Sequence, residues 1–166
     1  MSIWWSLQLR REASSVPLAR RLLAGAMDTA GVDADIAHEL SLALTEACAN
    51  AVQHGGHSGA YQVTASIDGD ICRIEVTDSG PGFPLDRLLG ELDPLGGLLD
   101  AGTATTATTV AHVEHVEHEM EHGRGLRLIE ALSDRVRYDN QPDRGGAVIS
   151  FDKILKWRED SLLQAS

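Results

Sequence analysis

Apolar and polar positions alternate at the start of the chain, where Ile3, Trp5, Leu7 and Leu9 fall between Trp4, Ser6, Gln8 and Arg10. Period two predicts a half-buried strand, and Trp4, on its polar side, marks a candidate contact surface. The period then changes. Ser14-Ser15 precedes Pro17, which a first helical turn tolerates, and Leu18, Leu22 and Met27 carry an approximately helical pattern to Gly31. A second helix is predicted from Asp33 or Asp35, either of which can cap exposed amides. Its apolar stripe is Ile36, Leu40, Leu44 and Cys48, and it runs to Gly55-Gly56. Tyr61 to Ile67 and Ile71 to Thr77 predict two strands, joined by the hairpin signal Asp68-Gly69-Asp70.

From Pro84 to about Gly102 the pattern is irregular, and Ala101 to Thr109 is a low-complexity run of Ala, Gly and Thr. A connection this long inside one domain is mobile or functional. Gly125 to Leu132 predicts a helix. Arg135 to Tyr138 and Ala147 to Phe151 predict closing strands, turned by Asn140 to Gly146. The tail from Lys153 to Ser166 reads as a short helix or a frayed end. The order strand, helix, helix, hairpin, long loop, helix, hairpin is an α+β pattern, with one mixed or mostly antiparallel sheet and helices on one face. It is not the βαβ alternation of a Rossmann domain, and the chain has no Gly-x-x-x-x-Gly-Lys-Ser/Thr phosphate loop.

At 166 residues a single domain, 1–166, is expected. A formal charge of −11 disfavours nucleic acid and anionic membrane as partners, because both would repel it. A basic partner surface, or a nucleotide carried with a divalent cation, is compatible. Nothing reads as a transmembrane span or signal peptide, so the expected location is cytoplasmic. Cys48 and Cys72 fall on a helical and a strand pattern and read as buried structural positions.

The candidate chemistry lies in three short stretches. Asp78-Ser79-Gly80-Pro81-Gly82-Phe83 follows a predicted strand, which puts a fixed carboxylate beside backbone that a flat ligand can approach. Upstream, Glu39, Glu46, Asn50 and Gln53 share one helical face. Downstream, His122-Gly123-Arg124-Gly125-Leu126 opens a helix with glycines, where exposed amides and the helix dipole favour phosphate. Each stretch alone has a bland reading, as a turn, a solvated face and a helix start. Together, in this order, they suggest an ATP site.

These three stretches resemble the N-box, G1-box and G2-box of the GHKL ATPase superfamily. Leu44-Thr45-Glu46-Ala47-Cys48-Ala49-Asn50-Ala51-Val52-Gln53-His54-Gly55 and His122-Gly123-Arg124-Gly125-Leu126-Arg127-Leu128-Ile129 are similar to the stand-alone anti-sigma-factor serine kinases. The resemblance runs from about Leu9 to Lys153 and implies a Bergerat-type two-layer sandwich with a long ATP lid at about 84–122. It implies ATP and Mg²⁺ as cofactors, with Asn50 holding the metal and Glu46 as the catalytic acid that orients or deprotonates the attacking hydroxyl. Asp78 matches the residue that accepts from the adenine amino group. The resemblance implies that Gly80 and Gly82 let the backbone lie near base and ribose, that Gly123 and Gly125 expose amides to phosphate, and that Leu126 is a further nucleotide-binding position. Arg124 is either a phosphate contact or a surface residue. One departure stands out: the family usually has Gly-Thr where this chain reads Gly145-Gly146-Ala147, so a hydroxyl that helps bind adenine is missing.

The function implied is an ATP-dependent serine/threonine protein kinase that phosphorylates a STAS-domain antagonist and sequesters a partner such as a sigma factor, acting as a homodimer. The alternative is a nucleotide-gated binding module without phosphotransfer; a detached histidine-kinase ATPase domain ranks third. Candidate partner surfaces are the first helix around Arg20-Arg21 and the Trp4 region. Within the expected lid, His115, His118 and His122 form one stripe of a helical pattern, with Val113, Val116 and Met120 as a second. The histidines are a solvated, pH-responsive face or, as the sharper reading, a metal site.

Overall fold

The period-two runs become strands in the computed structural model, which describes residues 2–80, 124–141 and 146–161. The elements are β1 (Ser2–Arg10), α1 (Ser15–Ala30), α2 (Ala34–His54), β2 (Ala60–Asp68), β3 (Ile71–Thr77), α3 (124–132), β4 (Arg135–Asn140) and β5 (Ala147–Ile154). The expected lid and its histidine stripe lie outside the described residues, as do Gly82 and Gly123.

One five-stranded sheet runs β1-β2-β3-β5-β4, and all four pairings are antiparallel. The sheet is therefore wholly antiparallel among the described strands, at the antiparallel end of the mixed-or-mostly expectation. Tyr61, Val63, Ala65 and Ile67 of β2 are buried with Cys72, Ile74 and Val76 of β3, while the residues between them turn to a polar outer face. That face carries Arg73, whose guanidinium donates to both carboxylate oxygens of Asp152 at 2.7 and 2.9 Å. A sheet apolar on one side only must be covered there, and the helices cover it. Cys48 and Cys72 are free, and burial pushes both thiols up to about 12.

Asp33, not Asp35, caps α2: its Oδ1 accepts from the amides of Asp35 and Ile36 at 3.0 and 3.3 Å. The α2 stripe is buried as expected, at Ile36, Leu40, Leu44 and Cys48. The α1 stripe is not. Of Leu18, Leu22 and Met27 only Met27 is buried, and the leucines are 49% and 44% exposed. The buried face is Ser15, Ala19, Leu23, Met27 and Ala30. Its rotation is set by a polar pin, since Ser15 Oγ lies 2.7 Å from the Tyr61 hydroxyl in the core. Ala19, fully buried, then turns into the interface in place of the larger leucines.

The tail also departs from expectation. β5 continues to Ile154, Leu155 is buried, and Trp157 forms a β-bridge with Val32. Ser161 Oγ donates to Ala30 O at 2.9 Å, beneath the left-handed Gly31 that ends α1. A Cβ on Gly31 would stand 2.7 Å from Ser161 Cα, so glycine lets this strap close. Through Leu155 and Trp157 the tail crosses the α1–α2 connection and ends in a turn at 159–160, so up to residue 161 it is neither helical nor frayed.

Candidate functional site

The polar face of α2 divides when neighbouring elements are added. Glu39, at its N-terminal end, pairs with Lys153 of β5, Nζ to Oε2 2.5 Å, and the same ammonium donates to Leu132 O at 2.9 Å. Lys153 thus caps the C-terminal end of α3, where a cation is favoured, and Glu39 belongs to that brace. Glu46, Ala49, Asn50 and Gln53 face a cleft of about 350 Å³, closed on the other side by Arg124, Gly125, Leu126 and Leu128 of α3. The side chains of Glu46 and Asn50 hydrogen-bond to no described residue, and both line the cleft.

α3 is anchored by Leu126 and Ile129, both buried. Its first turn comes close to α2 because residue 125 is glycine: a Cβ there would stand 3.0 Å from Glu46 Oε2. The positive end of the α3 dipole accordingly lies beside the Glu46–Asn50 wall, which suits an anionic ligand.

Asp78 does not line this cleft. It stands directly after β3, 8% exposed, and its Oδ1 accepts from the amides of Gly80 at 2.8 Å and Ala147 at 3.3 Å. Burial pushes its carboxyl above the usual carboxylate range, opposed by those two amides and by the positive charge of Arg11. The Asp78 turn packs instead against the end of the helix that supplies one wall of the cleft. A Cβ on Gly80 would lie 2.2 Å from the carbonyl oxygen of His54, the residue after Gln53. Gly80 is thus required by contact with the end of α2, a reason the sequence did not disclose.

Two further glycines complete the interlock. Gly56, at φ 67°, would place a Cβ 2.8 Å from Gly80 Cα; Gly146, at φ 132°, would place one 2.0 Å from Asp78 O. In the sequence Gly56 read only as a helix end, and Gly146 as part of a turn where the family usually has Gly-Thr, with no sign of this contact. Where the sequence lacks the expected threonine, the Ala147 backbone still supplies a donor to Asp78. Arg11, whose Nη1 donates to Gly56 O, had no local signal at all.

Comparison with known proteins places these features in a family context. The family model described as histidine kinase-like ATPase domain matches residues 9–153. The serine-protein kinase RsbW of Oceanobacillus iheyensis is 32% identical over 147 residues, covering 87% of this chain and 82% of that protein. The serine-protein kinase RsbW of Bacillus subtilis is 29% identical over 143 residues, covering 84% and 78%. Among solved structures, the RsbU and RsbW domains of a Mycobacterium tuberculosis protein align with TM-score 0.61 at 18% identity, over 92% of this chain and 32% of that one. The SiaB–SiaC complex from Pseudomonas aeruginosa aligns with TM-score 0.58 at 16% identity, over 90% and 89%. At such identities the structural likeness bears on the fold. Among the described residues no helix is long and apolar enough to cross a membrane.

Proposed function

The chain belongs to the histidine kinase-like ATPase domain family, as a serine-protein kinase of the GHKL type, and we propose that its cleft moves the terminal phosphoryl group of ATP to a serine or threonine of a STAS-domain antagonist. The observation that carries this reading is the opposition of Glu46 and Asn50 on α2 to the glycine-led first turn of α3 across one cleft. An acid, an amide oxygen and a helix N-terminus suit a substrate with a phosphate tail and a hydroxyl that must lose its proton.

Each residue then has a task. Asp78 accepts a hydrogen bond from the adenine amino group through Oδ2, since both amide donors within the chain go to Oδ1. Guanine presents a carbonyl at that position and is repelled. The first amides of α3, with Arg124 beside them, hold phosphate oxygens. Glu46 accepts the proton of the acceptor hydroxyl as its oxygen bonds to the γ-phosphorus, while the bond to the bridging oxygen breaks and ADP leaves. The donor set fits magnesium. No three His, Cys, Asp or Glu side chains gather into a metal cage among the described residues, and magnesium needs only one hard side-chain oxygen beside phosphate and water, which Asn50 offers. When bound, the metal neutralises phosphate charge. The base contact at Gly82, the phosphate contact at Gly123 and the lid at about 84–122 belong to the same proposal and lie outside the described residues.

In its second role the protein holds a sigma factor until the antagonist displaces it, working as a homodimer in the cytoplasm. The absent threonine hydroxyl at Ala147 favours one competing reading, a nucleotide-gated binder without transfer. Incubation with radiolabelled ATP and a co-encoded STAS protein separates the two. Label should pass to the STAS protein and be lost by a factor of about 10²–10⁴ in Glu46→Ala, with ADP affinity retained. Tight complex formation with no label in the wild type would favour the binder; equal transfer by Glu46→Ala would remove Glu46 from the chemistry.

A further inference from the structure

Arg11 lies just beyond β1, on none of the elements that supply the other site residues, yet it reaches the heart of the Asp78 turn. Its amide is tied to the loop after α2, donating to Gly59 O at 2.9 Å. Its guanidinium donates to Gly56 O within the same loop, and its side chain packs on Gly55, where an added Cβ would stand 3.0 Å from Arg11 Cδ. Gly56 in turn meets Gly80 backbone to backbone: a Cβ on Gly56 would lie 2.8 Å from Gly80 Cα and 3.1 Å from Ser79 O. The Gly80 amide is the closer of the two donors on Asp78 Oδ1. A continuous line of contacts therefore joins the guanidinium to the carboxylate through two glycines that leave no slack. The same guanidinium charge favours the ionised form of Asp78 directly.

We propose that Arg11 is a positioning residue for purine recognition, clamping the Gly55–Gly56 loop onto the Ser79–Gly80 turn so that Asp78 presents a fixed, ionised acceptor to the base. The proposal rests on the reading of Asp78 as the adenine acceptor. Arg11 touches no ligand in this scheme; its action passes through Gly56 and Gly80 and through its charge. Losing it lets the turn relax and removes a positive charge that favours the buried carboxylate, so the base contact weakens while the Glu46–Asn50–α3 wall stays in place.

The test is calorimetric binding of Mg-ADP and Mg-GDP to the wild type, Arg11→Met and Arg11→Lys, with thermal unfolding of each. Methionine keeps most of the stem without the charge or the donor. Loss of one charge-assisted bond predicts that Arg11→Met binds ADP about tenfold more weakly. GDP binding, which gains nothing from the acceptor, does not weaken, so selectivity for ADP falls by at least that factor. Arg11→Lys, with charge and one donor, recovers at least half of the loss on a logarithmic scale. If Arg11→Met fails to fold, Arg11→Lys against Arg11→Gln carries the comparison, with lysine expected to be the more selective. ADP affinity within twofold of wild type in Arg11→Met, equal weakening of ADP and GDP, or no recovery with lysine would each overturn the proposal. Absence of ADP binding by the wild type would instead overturn the reading of the pocket itself.

Discussion

Gly125→Ala separates the geometry of the site from the stability of the fold. Gly125 occupies the first turn of α3, where an ordinary helical residue fits. Alanine in place of glycine within a helix is favourable by about 0.5–1 kcal/mol, less in a first turn. The new methyl would stand 3.0 Å from Glu46 Oε2, inside the 3.4 Å at which ordinary contact begins, so the carboxylate must retreat by a few tenths of an ångström. For a flexible side chain facing a cleft, that retreat costs little stability. Catalysis is less forgiving. If a displacement of about 1 Å costs about 100-fold, a few tenths cost about three- to tenfold in kcat. The assay is initial-rate label transfer at saturating ATP, with ADP affinity and thermal unfolding measured on the same samples. The expected result is a kcat lowered by that factor, ADP affinity unchanged within about twofold, and a Tm equal to or above the wild type. A wild-type kcat in a well-folded Gly125→Ala would show that the placement of Glu46 against α3 has no bearing on transfer.

Two other outcomes follow from the same contacts. Burial raises the Asp78 carboxyl, so its contribution to stability is fully present below the unfolded-state value and is lost as pH rises through the folded-state value. Asp78→Asn, neutral throughout, should therefore unfold at a temperature equal to or above the wild type at neutral pH while losing ADP affinity. Acidification should weaken ADP binding more in the wild type than in Asp78→Asn, and equal pH dependence in the two would contradict this. On α1, Leu23→Ala should cost about 3–5 kcal/mol in urea unfolding, because Leu23 is wholly buried, whereas Leu18→Ala should cost under about 0.5 kcal/mol. Equal losses would mean that the helix is rotated.

What the sequence disclosed and what it hid follow one division. Features set by neighbours along the chain were legible: the β1 alternation, the α2 stripe, the Asp68-Gly69-Asp70 hairpin and the helix from Gly125 to Leu132. Features set by contacts across the fold were not. Leu18 and Leu22 outweigh Ala19 in any hydrophobic pattern, and the Ser15–Tyr61 pin that turns them outward spans 46 residues. The strap that ends at Ser161 depends on a gap left by Gly31, which no local period records. Within the candidate site, helical spacing aligned Glu46 and Asn50 with Glu39, and only the resemblance of the three stretches singled the two out; the structure gathers them with Gly125 in one cleft. Arg11, Gly56 and Gly146 were missed because their reasons are contacts across the fold: two backbone approaches to the Asp78 turn, by Gly56 and Gly146, and a side-chain hydrogen bond from Arg11 to Gly56 O.

Asp78 shows why such an interlock suits recognition. A buried carboxylate costs several kcal/mol in lost hydration. Two amide donors and one nearby guanidinium offset part of it, since each hydrogen bond to a charged group contributes about 1.5–3 kcal/mol. The carboxyl is still shifted upward, so the offset within the chain is incomplete. Both amides go to Oδ1, and Oδ2 takes no hydrogen bond from any described residue. A ligand that brings a donor to Oδ2 supplies the missing stabilisation and is held by it; a ligand that brings a carbonyl adds repulsion to an acid already short of partners. On the proposed reading of Asp78, selectivity comes from that unfilled acceptor, and the glycines matter because they let the backbones that hold the turn approach closely.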